Sequence, residues 1–137
     1  MRPLMPLRLP SGWAVVFNNF VEFSDDSPPT DADFEAYRDE DLLSVEAVSF
    51  DGKVWRTDES GLLIDVGWYP AGDPAGSYRL ALVRGGWDDV PARFEHRNCY
   101  VVKEAIDLVV GMLARGSTPE EVAELLDDLA DTMTGMS

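Results

Sequence analysis

The chain contains a single cysteine, Cys99, and a single histidine, His96, among 137 residues. One cysteine cannot form an intrachain disulfide, which excludes a small disulfide-stapled secreted domain and favours a reducing compartment. One histidine and one thiol do not supply the ligands of a structural zinc site. The spacing of Cys99 and His96 is not specific for a catalytic dyad, and the sequence indicates no third group that would orient one. We therefore expect a protein that is not an enzyme, with no catalytic residues, no metal and no cofactor.

Basic residues are also scarce, because 11 lysines and arginines stand against 26 acids and give a formal net charge of −15. Such a field repels nucleic acid and anionic lipid and attracts basic partners. No segment approaches the roughly 20 apolar residues of a membrane-spanning helix. Pro3, Pro6 and Pro10 interrupt the first residues, which lack the apolar stretch of a signal peptide. The sequence predicts a cytoplasmic protein that binds neither nucleic acid nor membranes.

What the chain does contain is the composition of a globular domain, 45% apolar and 10% aromatic, and we treat residues 1–137 as one domain. Short runs rich in β-branched and aromatic residues alternate with Gly, Pro and Asp turns, without a helical pattern between them. They predict an antiparallel β-meander of about five or six strands. The runs cover residues 13–23, 42–50, 54–57, 62–69, 78–84 and 92–97.

The pattern changes after Cys99, where apolar residues recur at helical spacing over about residues 100–115. A second helix is predicted over about residues 118–134, because Thr118, Pro119 and Glu121 form a capping box with a favoured proline. The predicted fold class is therefore α+β, with the meander packed by two C-terminal helices.

The strand "IDVGWYP" raises a local question, because Asp65 lies inside a run that otherwise looks buried. Alternation places Trp68 on one face and Asp65 on the other. A catalytic acid, a metal ligand and a solvated outer residue would all fit these letters. We expect a partly exposed acid, paired with Arg79 or Arg84 of the next strand, and we expect Trp13 and Trp68 to lie mainly in the core.

Charge is segregated along the chain, and residues 24–41 form its most acidic segment. They contain eight acids and one arginine, a net charge of −7, together with aromatic residues. A short helix is possible here, but we read the segment mainly as an acidic surface loop. Carboxylates mixed with aromatic anchors are typical of a site for a basic protein. The predicted partner-binding residues are Asp31, Asp33, Phe34, Glu35, Tyr37, Asp39, Glu40 and Asp41.

Four stretches taken in order resemble the immunity proteins of bacterial contact-dependent inhibition and related polymorphic toxin systems. They are "LPSGWAVVFNNFVEF", "IDVGWYPAG…GSYRLALV", "GGWDDVPARFEHR" and "VVKEAIDLVV". The features that carry the resemblance are Gly12-Trp13, Asn19-Phe20, the Asp65-x-Gly67-Trp68-Tyr69 strand and the Gly86-Trp87-Asp88 turn. The resemblance covers about residues 9–113, and the second acidic helix looks like an addition.

The resemblance implies a small cytoplasmic protein that is not an enzyme and that binds and neutralises a cognate toxin C-terminal domain. Many such toxins are nucleases with basic clefts, which an acidic inhibitor suits. The family supplies no catalytic residues to carry over. An alternative with the same charge and fold class is a small acidic secretion chaperone or another protein-binding module. An enzyme is the third alternative, with Asp65, His96 or Cys99 as its candidate residues.

Overall fold

The computed structural model describes residues 2–23 and 28–135, within which it has six strands and three helices. The predicted α+β fold class, with its two C-terminal helices, is confirmed. In chain order the elements are β1 (Trp13–Asn18), α1 (Asp31–Tyr37), β2 (Leu43–Phe50), β3 (Trp55–Thr57), β4 (Leu62–Tyr69), β5 (Ser77–Arg84), β6 (Ala92–His96), α2 (Cys99–Ala114) and α3 (Pro119–Gly135).

The strands form one sheet in the order β1-β2-β4-β5-β6, and every neighbouring pair is antiparallel. Strand β3 pairs with the far end of β2 through the predicted turn at Asp51-Gly52, where Gly52 has a φ of 97°. A positive φ of this kind suits glycine because it has no Cβ. The sheet is thus the predicted meander, with one short hairpin inserted between β2 and β4.

The core lies between one face of the sheet and the helices. Helix α2 is capped by Asn98, whose side chain accepts hydrogen bonds from the amides of Tyr100 and Val101. Its apolar stripe packs with the alternate residues of β4, β5 and β6 in one buried cluster. Trp68 is buried at 2% exposure, as predicted, whereas Trp13 is only partly buried at the margin of the core.

Strand β1 is shorter than the predicted run of residues 13–23. The side chain of Asn18 accepts a hydrogen bond from the amide of Phe20 at 3.0 Å, and this local bond diverts the backbone from the ladder. Beyond it, Phe20 accepts a bond from Met5, and Val21 forms a bridge with Leu4. Asn19 still donates to the carbonyl of Leu42, whereas the residues from Phe20 onward pair with the N-terminal segment instead of extending β1.

The acidic segment contains helix α1 where we expected mainly a loop. The side chain of Thr30 accepts a hydrogen bond from the amide of Asp33, and the carboxylate of Asp33 accepts one from the amide of Thr30, so both halves of a capping box are present. Residues 24–27 of this segment lie outside the described residues. The backbone then bends at residues 39, 40 and 42 before it enters β2.

Candidate functional site

One face of the sheet carries no helix within residues 2–23 and 28–135, because α2 and α3 pack on the opposite side, against β5 and β6. Residues paired across an antiparallel ladder point to the same face. The register therefore places Phe17, Ser44, Asp65, Ala81 and Arg93 in one row across the sheet. We call the side on which this row points the outer face.

Exposed aromatic side chains stand on the outer face. Phe17 lies at its β1 edge, and Phe50 and Trp55 form a pair across β2 and β3 with ring centroids 5.4 Å apart. Trp87, in the loop between β5 and β6, lines a concavity together with Asp65. These four aromatic side chains are 49% to 62% exposed. Large apolar side chains left exposed on one face are characteristic of an interaction surface.

The acidic segment reaches the outer face as a backbone bulge at residues 39–41. The carbonyl of Asp39 accepts a hydrogen bond from Trp68 of β4 at 2.7 Å, and the amide of Leu42, just after the bulge, donates to the carbonyl of Val66 at 2.9 Å. Between them the carbonyl of Glu40 crosses so close to Gly67 that a Cβ at that position would collide with it. Gly67 is therefore required by this close approach. We call residues 39–41 the acidic bulge; all three of its side chains are exposed.

Asp65 is half-buried and forms no ion pair or hydrogen bond within the described part of the chain. The pKa of its carboxyl is raised to about 6, mainly by burial and in addition by the nearby charge of Asp41. The predicted pairing with a neighbouring arginine is wrong. Arg79 pairs with Glu95 at 2.8 Å. Arg84 pairs with Asp89 of the β5–β6 loop and with Glu120 of α3, both at 2.8 Å.

Asp65 lies between two concavities of the outer face. The one toward β1 has a volume of about 340 Å³ and is lined by Phe17, Asp41, Leu43, Ser44 and Asp65. The one toward β6 is smaller, about 160 Å³, and brings Asp65 together with Tyr69, Arg93 and Trp87. Burial also raises the pKa of Tyr69, with Asp65 the next largest cause. The half-buried carboxylate is therefore reachable from solvent on both sides.

The predicted partner-binding residues separate into two groups in the structure. Asp33 has a structural role, because it completes the α1 capping box and pairs with Arg2 at 2.8 Å; the hydrogen bond from Arg2 is the main reason that its pKa falls to about 2. Tyr37 is half-buried against Phe23, with ring centroids 6.3 Å apart. The remaining side chains that the structure describes are exposed, namely Asp31, Glu35, Asp39, Glu40 and Asp41. The side chain of Phe34 lies outside the described residues.

The sequence reading missed Arg38, the one base of the acidic segment. Its side chain is buried, and its guanidinium stacks over Phe23, Trp68 and Tyr78 at 4.0, 4.4 and 4.8 Å from the ring centroids. It also donates a hydrogen bond to the hydroxyl of Tyr78. Burial lowers the pKa of Arg38, and the nearby Tyr78 opposes this shift. Arg38 therefore anchors α1 and the acidic bulge to the core through cation–π contacts.

The two residues considered for nucleophilic chemistry do not form a dyad. Cys99 is buried, burial raises the pKa of its thiol, and its sulfur contacts the backbone of Phe23. His96 accepts a hydrogen bond from the amide of Asn98 through Nδ1. A buried thiol with a raised pKa is a poor nucleophile. Among the residues that the structure describes, no three potential ligands of the His, Cys, Asp and Glu types converge as a metal site would need.

A wider, shallow groove of about 700 Å³ lies along α2 and α3. Its carboxylate Asp107 is already engaged, since Lys103 pairs with it at 2.6 Å and the backbone amide of Arg8 donates to it at 2.9 Å. Tyr100 and Leu108 are exposed in this groove at 38% and 37%, but it lacks a half-buried carboxylate without an ion pair, such as Asp65 of the outer face. The outer face together with the acidic bulge is therefore the better candidate for a functional site.

Comparison of the chain with protein-family models, with curated proteins and with solved structures gives no match. Within the described ranges, none of the helices has both the length and the apolar character needed to cross a membrane.

Proposed function

We propose that this chain is an immunity protein, not an enzyme, that binds and neutralises the basic toxin domain of a polymorphic toxin system in the cytoplasm. The observation that carries the proposal is the junction of the acidic bulge with a helix-free sheet face that exposes four aromatic side chains. Aromatic residues supply most of the energy of protein interfaces, and carboxylates beside them select a basic partner.

The distribution of ion pairs supports a basic partner. Within the described residues, the ion pairs lie away from the acidic bulge, and the side chains of the bulge form none. The charge of the bulge is therefore not cancelled locally. A net charge of −15 on a chain of this size gives long-range attraction to a basic surface and speeds the encounter.

Three of the residues that carry the family resemblance also occupy this region. Asp65 and Gly67 belong to the outer face, and Trp87 overhangs it. Gly67 admits the acidic bulge, which links the Asp-x-Gly-Trp-Tyr strand to the acidic segment. In the proposed function the residues of this strand contribute to the contact surface and take part in no catalysis.

The proposal is tested by growth rescue. The C-terminal domain of the large secreted protein encoded beside this chain's gene is expressed in bacteria with and without this chain. We expect arrest by the domain alone, growth when the chain is co-expressed, and a complex that survives gel filtration. An unrelated nuclease domain serves as the control and should still arrest growth. Arrest in the presence of the well-expressed chain would contradict the proposal.

A further inference from the structure

The outer face offers a docking surface whose centre is charged and whose margins are aromatic. Asp65 lies at the centre of the row, with Asp41 beside it in the larger concavity and Phe17 at the β1 side. Trp87 stands at the β6 side of the smaller concavity. Aromatic residues that become desolvated when a partner binds are frequent hot spots of protein interfaces.

The charges on this face decide what kind of partner fits it. Arg79 is already paired with Glu95 at 2.8 Å and stacks over Tyr69 at 4.8 Å. Arg93 lines the smaller concavity together with this Arg79–Glu95 pair, and Asp41 does not reach it. The larger concavity contains two carboxylates, no basic side chain and an aromatic wall. Its complement is a cation, and arginine suits it because a guanidinium both binds carboxylates and stacks on aromatic rings.

A second copy of the chain is a poor occupant of the same face. Each copy would carry a net charge of −15 and would bring its own Asp41 and Asp65 to the contact. Like charges placed opposite each other in an interface oppose binding and select against that partner.

We propose that the outer face docks the basic protein partner, and that Asp65, supported by Asp41, receives an arginine or lysine side chain of that partner between Phe17 and Trp87. The partner's identity rests on the proposed function, whereas the docking surface and its cationic complement rest on the geometry of this face. Asp65 is then a specificity-determining residue of the interface.

The first experiment uses a hexa-arginine peptide, so that it does not depend on the toxin. The full chain, labelled with nitrogen-15, is titrated at low salt and the shifted amides are mapped. We expect saturable shifts at Ser44, Asp65 and Ala81, which disappear in Asp65→Asn but persist in Asp127→Asn, a matched exposed carboxylate on α3. Shifts confined to α1 or α3, or no saturable shift, would overturn the docking surface.

A second readout of the same titration is the protonation of Asp65. A bound cation favours the ionised carboxylate, so saturation with the peptide should lower the pKa of Asp65 from about 6. Asp41, Tyr69, Arg79 and Arg93 also face this region and are followed in the same spectra. An unchanged pKa of Asp65 at saturation would show that the peptide binds elsewhere.

The second experiment measures the affinity of the purified toxin domain for the variants. Loss of a desolvated charge pair should weaken binding about tenfold or more in Asp65→Asn, and Trp87→Ala should do the same, with Asp127→Asn unchanged. If the chain rescues growth and Asp65→Asn binds like the parent, the docking surface is wrong and the function stands. If rescue fails and the peptide still maps to the outer face, the function is wrong and the surface stands. A dimer in sedimentation that Trp87→Ala dissociates would overturn the proposal in favour of self-association.

Discussion

The two faces of the sheet use alternate residues of the same strands but expose opposite kinds of side chain. On β4 the inward residues Ile64, Val66 and Trp68 are buried in the core. The residues between them include a half-buried aspartate and a glycine that supports the acidic bulge. The difference shows that one alternating pattern along a strand can place the residues for stability on one face and the residues for recognition on the other. Stability is concentrated on the helix-covered face, and the outer face keeps groups that a folding requirement alone does not explain.

The largest contrast is expected between two tryptophans on opposite sides of the sheet. Trp68 is 2% exposed and donates to the carbonyl of Asp73 at 2.8 Å, whereas Trp87 is 62% exposed. Trp68→Ala should cost roughly 3–5 kcal/mol of the ~5–15 kcal/mol available to a domain. Trp87→Ala should change stability by no more than about 0.5 kcal/mol. Urea unfolding of both variants provides the measurement, and equal losses would show that the two faces are not distinct.

A smaller loss is expected where the outer face meets the acidic bulge. In Gly67→Ala the new methyl group collides with the carbonyl of Glu40, so the bulge must move outward, at a cost of about 1–3 kcal/mol. Gly111→Ala on α2 is the matched control, because its new methyl group meets only the flexible end of Arg115 at 3.3 Å. The control should be as stable as the parent or more so, since alanine favours a helix. Thermal unfolding measures both variants. If Gly67→Ala were as stable as Gly111→Ala, the close approach of the Glu40 carbonyl would not require a glycine.

Much of this fold follows from local pattern. Alternation and turn residues predict the strands, and the capping box at Thr118 predicts the start of α3 within one residue. The helix α1 carried a similar local signal, Thr30 and Asp33 at capping-box spacing, which the many surrounding acids and two prolines obscured. The early end of β1 depends on one hydrogen bond from an amide to the side chain of Asn18, and composition does not reveal it.

The candidate site is less accessible to sequence reasoning because its contacts are long-range. Arg38 looks like a solvated base among acids, yet its position depends on aromatic rings contributed by β4, β5 and the segment after β1. The requirement for Gly67 depends on a backbone 27 positions away. The exposure of Phe17 depends on β1 being an edge strand. These three features all depend on which distant segments pack together, and the local sequence pattern does not specify that packing.

The charge on Asp65 gives a third test, with an effect near 1 kcal/mol. Because the pKa of Asp65 is raised to about 6 in the folded chain, ionisation opposes folding as the pH rises from the unfolded value of about 3.9 through the folded one. Asp65→Asn should therefore match the parent below pH 4 and be more stable at pH 7 by about 1 kcal/mol, after allowance for solvent screening of a half-exposed group.

The measurement for Asp65→Asn is urea unfolding at both pH values, with the exposed Asp127→Asn as the control that should follow the parent throughout. Greater stability combined with weaker binding would identify a residue retained for recognition. A loss of stability at pH 7 would show that Asp65 has a partner in the folded chain.

The smallest effect on stability is expected when the charges of the acidic bulge are removed. This change should affect binding while leaving stability almost unchanged. Replacing Asp39, Glu40 and Asp41 with their amides removes three exposed charges and should change the unfolding free energy by no more than about 0.5 kcal/mol. Association with the toxin domain should slow, and its salt dependence should flatten, because exposed charges act through a field screened within about 8 Å at physiological salt.

Stopped-flow association at several salt concentrations measures this effect of the bulge. The control replaces Glu124, Asp127 and Asp128 of α3, which removes the same net charge from the opposite side of the sheet. If both triple variants slow association equally, only the overall charge of the chain matters. If the bulge variant alone is slow, the local field beside the outer face guides the partner, as the contrast between the two faces requires. If the α3 variant alone is slow, the contact surface lies on the helices and the outer face loses its role.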